Sequence, residues 1–226
     1  MENLKVIHED NHIIVVEKPV NIPSQGDKTG DVDMLSIIKA YLKEKYNKPG
    51  EVYLGLVHRL DRPTGGVMVF AKTSKAASRL SEQVRNKEFH KQYLCIIDGK
   101  MENSKGTFKD YLYKNERANT SRIAKPNEKN AKEAILDYEV IKYNEEINLS
   151  VIKVNLHTGR HHQIRVQFSS RKHSLYGDQK YGTRGKGKQL ALWAYSLSFK
   201  HPTTKEELSF EDYPEKIGSW KILEEN

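Results

Sequence analysis

The sequence predicts an α+β fold, and three observations predict it. Segments rich in β-formers outnumber helical ones and mostly follow one another in antiparallel-looking succession. Only three segments space their apolar residues as a helix does. There is no regular alternation of strand and helix, and no G-x-G-x-x-G opens a helix, which argues against a doubly wound parallel sheet. With 226 residues, 37% apolar and 30% charged, the chain can bury a core and has the balance of a water-soluble globular protein. No fixed-period repeat and no long linker divides it, so residues 1–226 read as one domain.

Residues 5–10 and 13–18 read as short strands around a polar Glu9-Asp10-Asn11 turn, and Pro19 and Pro23 stop the second. Leu35, Ile38 and Leu42 predict a helix over residues 32–46, with Asp31 as N-cap and Lys48-Pro49-Gly50 as its end. Pro63 and Gly65-Gly66 force a turn, after which residues 66–72 form an apolar strand. Ser74 caps a helix to residue 86, with Ala77, Leu80 and Val84 on one face, and residues 92–98 make the next strand. Residues 105–132 are polar and basic yet carry Phe108, Tyr111 and Tyr113; they read as a mobile, partly hairpin-like insertion. Strands follow near 134–143 and 147–156. Thr158-Gly159 then turns the chain into an amphipathic helix over 161–170. Residues 184–188 read as a flexible loop, and residues 190–199 as a last strand before a proline-containing tail.

The net charge of +8 favours an anionic partner, nucleic acid ahead of a membrane surface. No run approaches the roughly 18 apolar residues of a membrane span, and Met1-Glu2-Asn3-Leu4-Lys5 has no signal-peptide pattern. The single cysteine, Cys95, excludes a disulfide framework and suits a reducing, cytoplasmic setting. It lies in an apolar strand and reads as core. His157, His161 and His162 invite a zinc reading, but adjacent histidines point to different faces and no cysteine or H-E-x-x-H accompanies them, so no metal is expected.

Four stretches could carry chemistry. In "VHRLDRPTGG", residues 57–66, Asp61 follows a strand-like run and precedes a forced turn. With Arg59 and Arg62 near it, the carboxylate would stay ionised and serve as nucleophile, base or salt-bridge arm. It reads equally as a turn aspartate bonding its own backbone. In "HTGRHHQIRVQFSS", residues 157–170, Arg160, Gln163 and Arg165 stand at a helix start where polar contacts to RNA fit. "YGDQKYG", residues 176–182, carries Asp178 and Tyr181 in what reads as a surface loop. "HKQYLCIIDG", residues 90–99, places Tyr93 among strand residues, where a cross-strand aromatic is the plain reading.

Taken together these segments resemble the RluA family of pseudouridine synthases. The family's signature H-R-L-D-x-x-T-S-G, followed by an apolar strand and Ala-Lys, is matched by His58 to Gly66 and Ala71-Lys72, with Gly65 in place of the usual Ser. Val16-Glu17-Lys18-Pro19, Lys91-Gln92-Tyr93, Thr158 to Arg165 with Gly177-Asp178, and Ala191 to Pro202 match in order. The resemblance implies a long, mixed, mostly antiparallel sheet flanked by helices and loops, with a central active-site cleft. It implies Asp61 as the catalytic aspartate, Tyr93 stacking on the base and helping with the C5 proton, and Arg165 paired with Asp61. Arg59 would fill the space left by a flipped-out uridine, and Ile164 would pack beneath the base, although it reads equally as core. His58, Arg62, Thr64, Arg160, His162 and Gln163 complete the expected RNA- and base-binding set. The partner implied is a ribosomal or transfer RNA stem-loop. Isomerisation moves no electrons between molecules, so no cofactor is expected. A monomer is expected, and the early Lys18-Pro19 motif suggests a catalytic domain without the family's N-terminal S4 domain.

Two rivals come from other classes. A non-catalytic RNA-binding or ribosome-assembly protein could keep this fold. A glycoside or nucleoside hydrolase would need a second carboxylate, for which Asp178 is the candidate.

Overall fold

Ile13, Ile14, Val15 and Val16 are all fully buried, and so are Met68, Val69, Phe70 and Ala71 opposite them. A strand that is apolar at every position needs cover on both faces, and this pair supplies the centre of the first of two compact units into which the chain divides. The structure is a computed structural model that describes residues 4–182 and 187–224, so residues 184–186 of the expected flexible loop lie outside it. The first unit comprises Met1–His90 with Ala194–Tyr213, and the second Lys91–Trp193 with Pro214–Asn226.

In the first unit β1 (Val6–Glu9), β2 (Ile13–Lys18) and β4 (Gly65–Ala71) lie side by side, and the two-residue β3 (Gly55–Leu56) also pairs with β4. β10 (Leu192–Lys200) enters this unit at Ala194 and pairs with β11 (Glu207–Glu211). Alternate residues of β2 and β4 (Ile13, Val15, Val67, Val69, Ala71) face one way and share a core with Ala76 and Leu80 of α2 (Ser74–Arg85). α1 (Met34–Lys45) buries Met34, Ile38 and Leu42, four residues apart.

Several boundaries differ from expectation. Asp33, not Asp31, caps α1: its Oδ1 accepts the N–H groups of Leu35 and Ser36 at 2.9 and 3.3 Å. Thr73, not Ser74, caps α2 through the N–H of Ala76. The cap is the last residue with extended backbone, which composition does not reveal. Gly65 and Gly66 belong to β4 rather than to the turn before it. Gly66 holds φ +118°, and a Cβ there would stand 2.2 Å from the carbonyl oxygen of Ala194, so a side chain has neither the backbone nor the room. The tail is not merely proline-rich: it contains β11 and a 3-10 helix at Gly218–Leu223.

The second unit is an antiparallel sheet ordered β5 (His90–Asp98), β9 (Leu149–Leu156), β8 (Lys132–Asn144), β6 (Lys105–Asn115) and β7 (Thr120–Ala124), with His90 of β5 assigned to the first unit. Most of residues 105–132 are therefore strand: β6 and β7 form a hairpin, and residues 125–131 lead into β8. α3 (Gln163–Ser169) packs Phe168 against Phe108 and Tyr138, with ring centroids 5.0 and 6.1 Å apart. It is shorter than the expected 161–170 and is not amphipathic. Every residue from Gln163 to Phe168 is buried.

Candidate active site

Lys18 ends β2 with no exposed surface. Its Nζ donates to three backbone carbonyls, those of Pro19 at 2.8 Å, Ile22 at 2.7 Å and Arg62 at 3.1 Å. The ammonium thus ties the loop after β2 to the turn that carries Asp61. That turn closes on itself where the Thr64 N–H donates to the Asp61 carbonyl at 2.9 Å. Ser24 clamps it from the other side: its hydroxyl donates to the Leu60 carbonyl at 2.9 Å and accepts the Leu60 N–H at 3.1 Å. The backbone on both flanks of half-buried Asp61 is therefore fixed by buried side chains. Burial drives the Lys18 pKa down to about 7, against the attraction of the Asp61 carboxylate, and the Arg62 charge lowers it further.

The other expected residues of this segment face different ways. Arg62 is exposed and turned toward the Asn21–Asp31 side: Nε donates to the Asn21 carbonyl at 3.1 Å and Nη2 to Asp31 at 2.5 Å. His58 Nε2 accepts the Val69 N–H at 3.2 Å, and its ring lies 5.3 Å from that of Phe89. Arg59 is exposed. Thr64 is buried, and its hydroxyl has no partner among the described residues.

In the second unit, Arg165 is buried and makes a two-pronged bond to Asp178: Nε to Oδ2 and Nη2 to Oδ1, both at 2.7 Å. Asp178 also accepts the N–H groups of Lys180 and Tyr181 at 2.9 and 3.1 Å. Burial opposes the charge on Asp178, but the Arg165 bonds and these N–H groups hold its pKa below the usual carboxylate value. Residues 176–182 are therefore a partly buried turn rather than the expected surface loop: Gly177 and Asp178 are buried, while Gln179 and Lys180 are exposed. The folded Asp178 is 2% exposed and neutralised, which takes away the second carboxylate a hydrolase would need. The sequence alone does not single out Asp178 as a partner of Arg165; the Gly177-Asp178 pair 12 to 13 residues beyond the arginine is the signal that could find it.

Gln163 and Arg160 also bond within the protein. The amide of Gln163 accepts from the Thr158 hydroxyl and the Arg160 N–H and donates to the Ile135 carbonyl. Arg160 is exposed, with Nε on the Glu133 carbonyl at 2.7 Å. His162 sits at the entry of α3 with φ 53° and ψ 27°, in the left-handed region. Ile164 is buried, and so is Tyr93 of β5, which stands opposite Val154 of β9. Among the described residues no group of three or more His, Cys, Asp or Glu is placed to hold a metal, and no helix is long and apolar enough to cross a membrane.

The family model described as RNA pseudouridylate synthase matches residues 12–170. An uncharacterized RNA pseudouridine synthase of Aquifex aeolicus is 34% identical over 99% of this chain and 74% of its own length. A ribosomal large subunit pseudouridine synthase C of Haemophilus influenzae is 32% identical over 93% of this chain and 65% of its own length. The chain thus spans about two thirds to three quarters of these relatives. Human RNA pseudouridylate synthase domain containing 4 has the same fold, with a TM-score of 0.78 at 21% identity over 96% of this chain and 90% of that one. The chain belongs to the RluA-type family of RNA pseudouridylate synthases. Its fold is the α+β fold of those enzymes, as the sequence predicts.

Proposed function

We propose that the chain converts uridine to pseudouridine in a ribosomal or transfer RNA stem-loop, as one cytoplasmic, monomeric catalytic domain, with Asp61 as the catalytic carboxylate. The observation that carries this reading is the Lys18–Ser24 clamp, which fixes the backbone on both sides of a half-buried Asp61. A positioned, desolvated carboxylate needs a nearby cation to stay ionised. Lys18 supplies one such charge, and the reading gives Arg165 the same task from the second unit, its guanidinium plane fixed by Asp178. Ribosomal RNA is supported by the name of the Haemophilus relative.

The reaction breaks the bond from C1′ to N1, rotates the uracil and joins C1′ to C5. The C5 proton is lost and N1 ends protonated, so nothing is oxidised and no cofactor is consumed. Asp61 acts on the ribose or the base, Tyr93 lies against the uracil and receives help from Ile164 beneath it. The uridine must first leave its stack, at a cost of a few kcal/mol. Arg59 fills the gap, and His58, Arg62, Thr64, Arg160, His162 and Gln163 frame the RNA. Residues 105–132 close over it.

The test uses ribosomal and transfer RNA transcribed without modifications, no added cofactor or metal, and chemical mapping of pseudouridine. Formation by the unaltered protein and none by Asp61→Asn supports the reading. RNA binding by both proteins with no isomerisation by either would replace it with the non-catalytic RNA-binding one.

A further inference from the structure

Tyr181, which the proposed reaction leaves without a task, is the residue on which three parts of the second unit converge. Its N–H donates to Asp178 Oδ1 at 3.1 Å. Its ring lies 5.1 Å from the Arg165 guanidinium. Its hydroxyl accepts the Ser121 N–H at 2.7 Å and stands 2.7 Å from Nδ1 of His162. A tyrosine hydroxyl has one proton, and the Ser121 N–H can only donate, so the hydroxyl is able to give that proton to a neutral His162 Nδ1. His162 is then neutral, with its own proton on Nε2.

The chain of bonds continues outward. His161 stacks on His162 at 3.7 Å. Its Nδ1 lies 2.9 Å from the Ser121 hydroxyl and its Nε2 3.0 Å from Asn119 Oδ1. An amide oxygen accepts, so Nε2 carries the proton and Nδ1 receives that of Ser121. Lys180 Nζ donates to the Asn119 carbonyl at 2.8 Å. Asn119 and His162 both hold left-handed backbone, φ 48° and 53°, which residues other than glycine adopt at a cost. The bonds hold them there. The charged groups around the histidine pair include Lys114, Glu116, Lys180 and Arg165. Burial and Lys114 bring His161 down to about 4, and burial and Arg165 bring His162 to about 2, so both are neutral near pH 7.

We propose that Tyr181 is a positioning residue for Arg165. Its hydroxyl latches the start of β7, just past the β6–β7 turn, to the entry of α3, while its ring and backbone hold the Arg165–Asp178 pair in one orientation. The turn carries Arg117 in a basic, tyrosine-bearing hairpin, so an anionic strand engaged there is mechanically continuous with the guanidinium. This inference rests on the proposed function for the use made of Arg165; the latch itself does not.

Tyr181→Phe keeps the ring and removes the hydroxyl. Three readouts apply to it: hydrogen exchange of the Ser121 amide, the ring-nitrogen NMR titration of His162, and the single-turnover rate of pseudouridine formation beside RNA affinity. We expect Ser121 to lose protection and His162 to titrate at higher pH, because a bond to its neutral form is gone. The rate falls about tenfold or more, as misorientation costs, while RNA affinity and a cooperative melt persist. Asn119→Gly tolerates the left-handed backbone, cuts the far end of the same chain and gives the same pattern at smaller size; it carries the test if Tyr181→Phe does not fold. Retained Ser121 protection overturns the latch. Lost protection with an unchanged rate overturns the positioning role. Altered exchange and titration with no pseudouridine from the unaltered protein establishes the latch and overturns the proposed function instead.

Discussion

The two units each bury a cation and neutralise it differently. In the first, the Lys18 ammonium meets three carbonyl oxygens and the attraction of Asp61. In the second, the Arg165 guanidinium meets the Asp178 carboxylate along two parallel bonds. The difference follows from side-chain shape. A guanidinium is planar, permanently charged and matched to a carboxylate fork, whereas an ammonium is a compact donor of three bonds that loses its proton when desolvated. Arg165 is thus a fixed charge in a fixed plane. Lys18 is a charge that its surroundings can tune, placed under the turn that carries Asp61.

The comparison breaks most visibly if Asp178 is removed. Asp178→Ala leaves the Arg165 charge buried without its carboxylate, and a urea melt should show a loss of about 3–5 kcal/mol. A loss under ~1 kcal/mol would mean that the pair is not the fixed element described above. Lys18→Met comes next. Three carbonyls lose their donor, for an expected cost of about 2 kcal/mol, and the pH dependence is diagnostic. With the folded pKa near 7 and the ordinary value 10.5, the unfolded chain holds more protons between those limits. The unaltered protein should therefore gain stability relative to Lys18→Met as pH rises through that window, and the difference should be flat below it. A difference that shrinks with rising pH would reverse the sign and refute a depressed Lys18.

Thr64→Val sharpens the first unit's side. It preserves shape and deletes a buried hydroxyl without a partner among the described residues. Stability should hold or rise by about 1 kcal/mol, while the rate of pseudouridine formation falls if that hydroxyl serves the substrate. Unchanged rate would remove Thr64 from the base-binding set. Asp31→Ala is the smallest effect. Its partner Arg62 is exposed, and exposed pairs contribute little, so the thermal midpoint should stay within measurement error.

Much of this was legible in sequence, and the reasons for the rest are local. The unbroken apolar runs Ile13 to Val16 and Val67 to Ala71 give the strands directly, and His58 to Asp61 marks the carboxylate turn. The burial of Lys18 was not legible, because a lysine after an apolar run ordinarily stands at a strand's wet end. Only the convergence of three carbonyls explains it. α3 read as amphipathic because Gln163, Arg165 and Gln167 are polar in type. The structure buries all three by partnering them, Gln167 with Asp110 at 2.7 Å among others. Polarity in a sequence predicts exposure only when no partner waits inside. β11 escaped notice because its polar and apolar residues alternate on a half-exposed strand of only five residues.

Lys18 also has a chemical consequence. A free-base amine attacks acylating reagents far faster than an ammonium, and burial shifts Lys18 toward the free base, with a pKa near 7 that returns toward 10.5 on exposure. Yet it has no surface in the folded chain. Its rate of acylation, read residue by residue by mass spectrometry, is therefore a clock for how often the loop beneath Asp61 comes open.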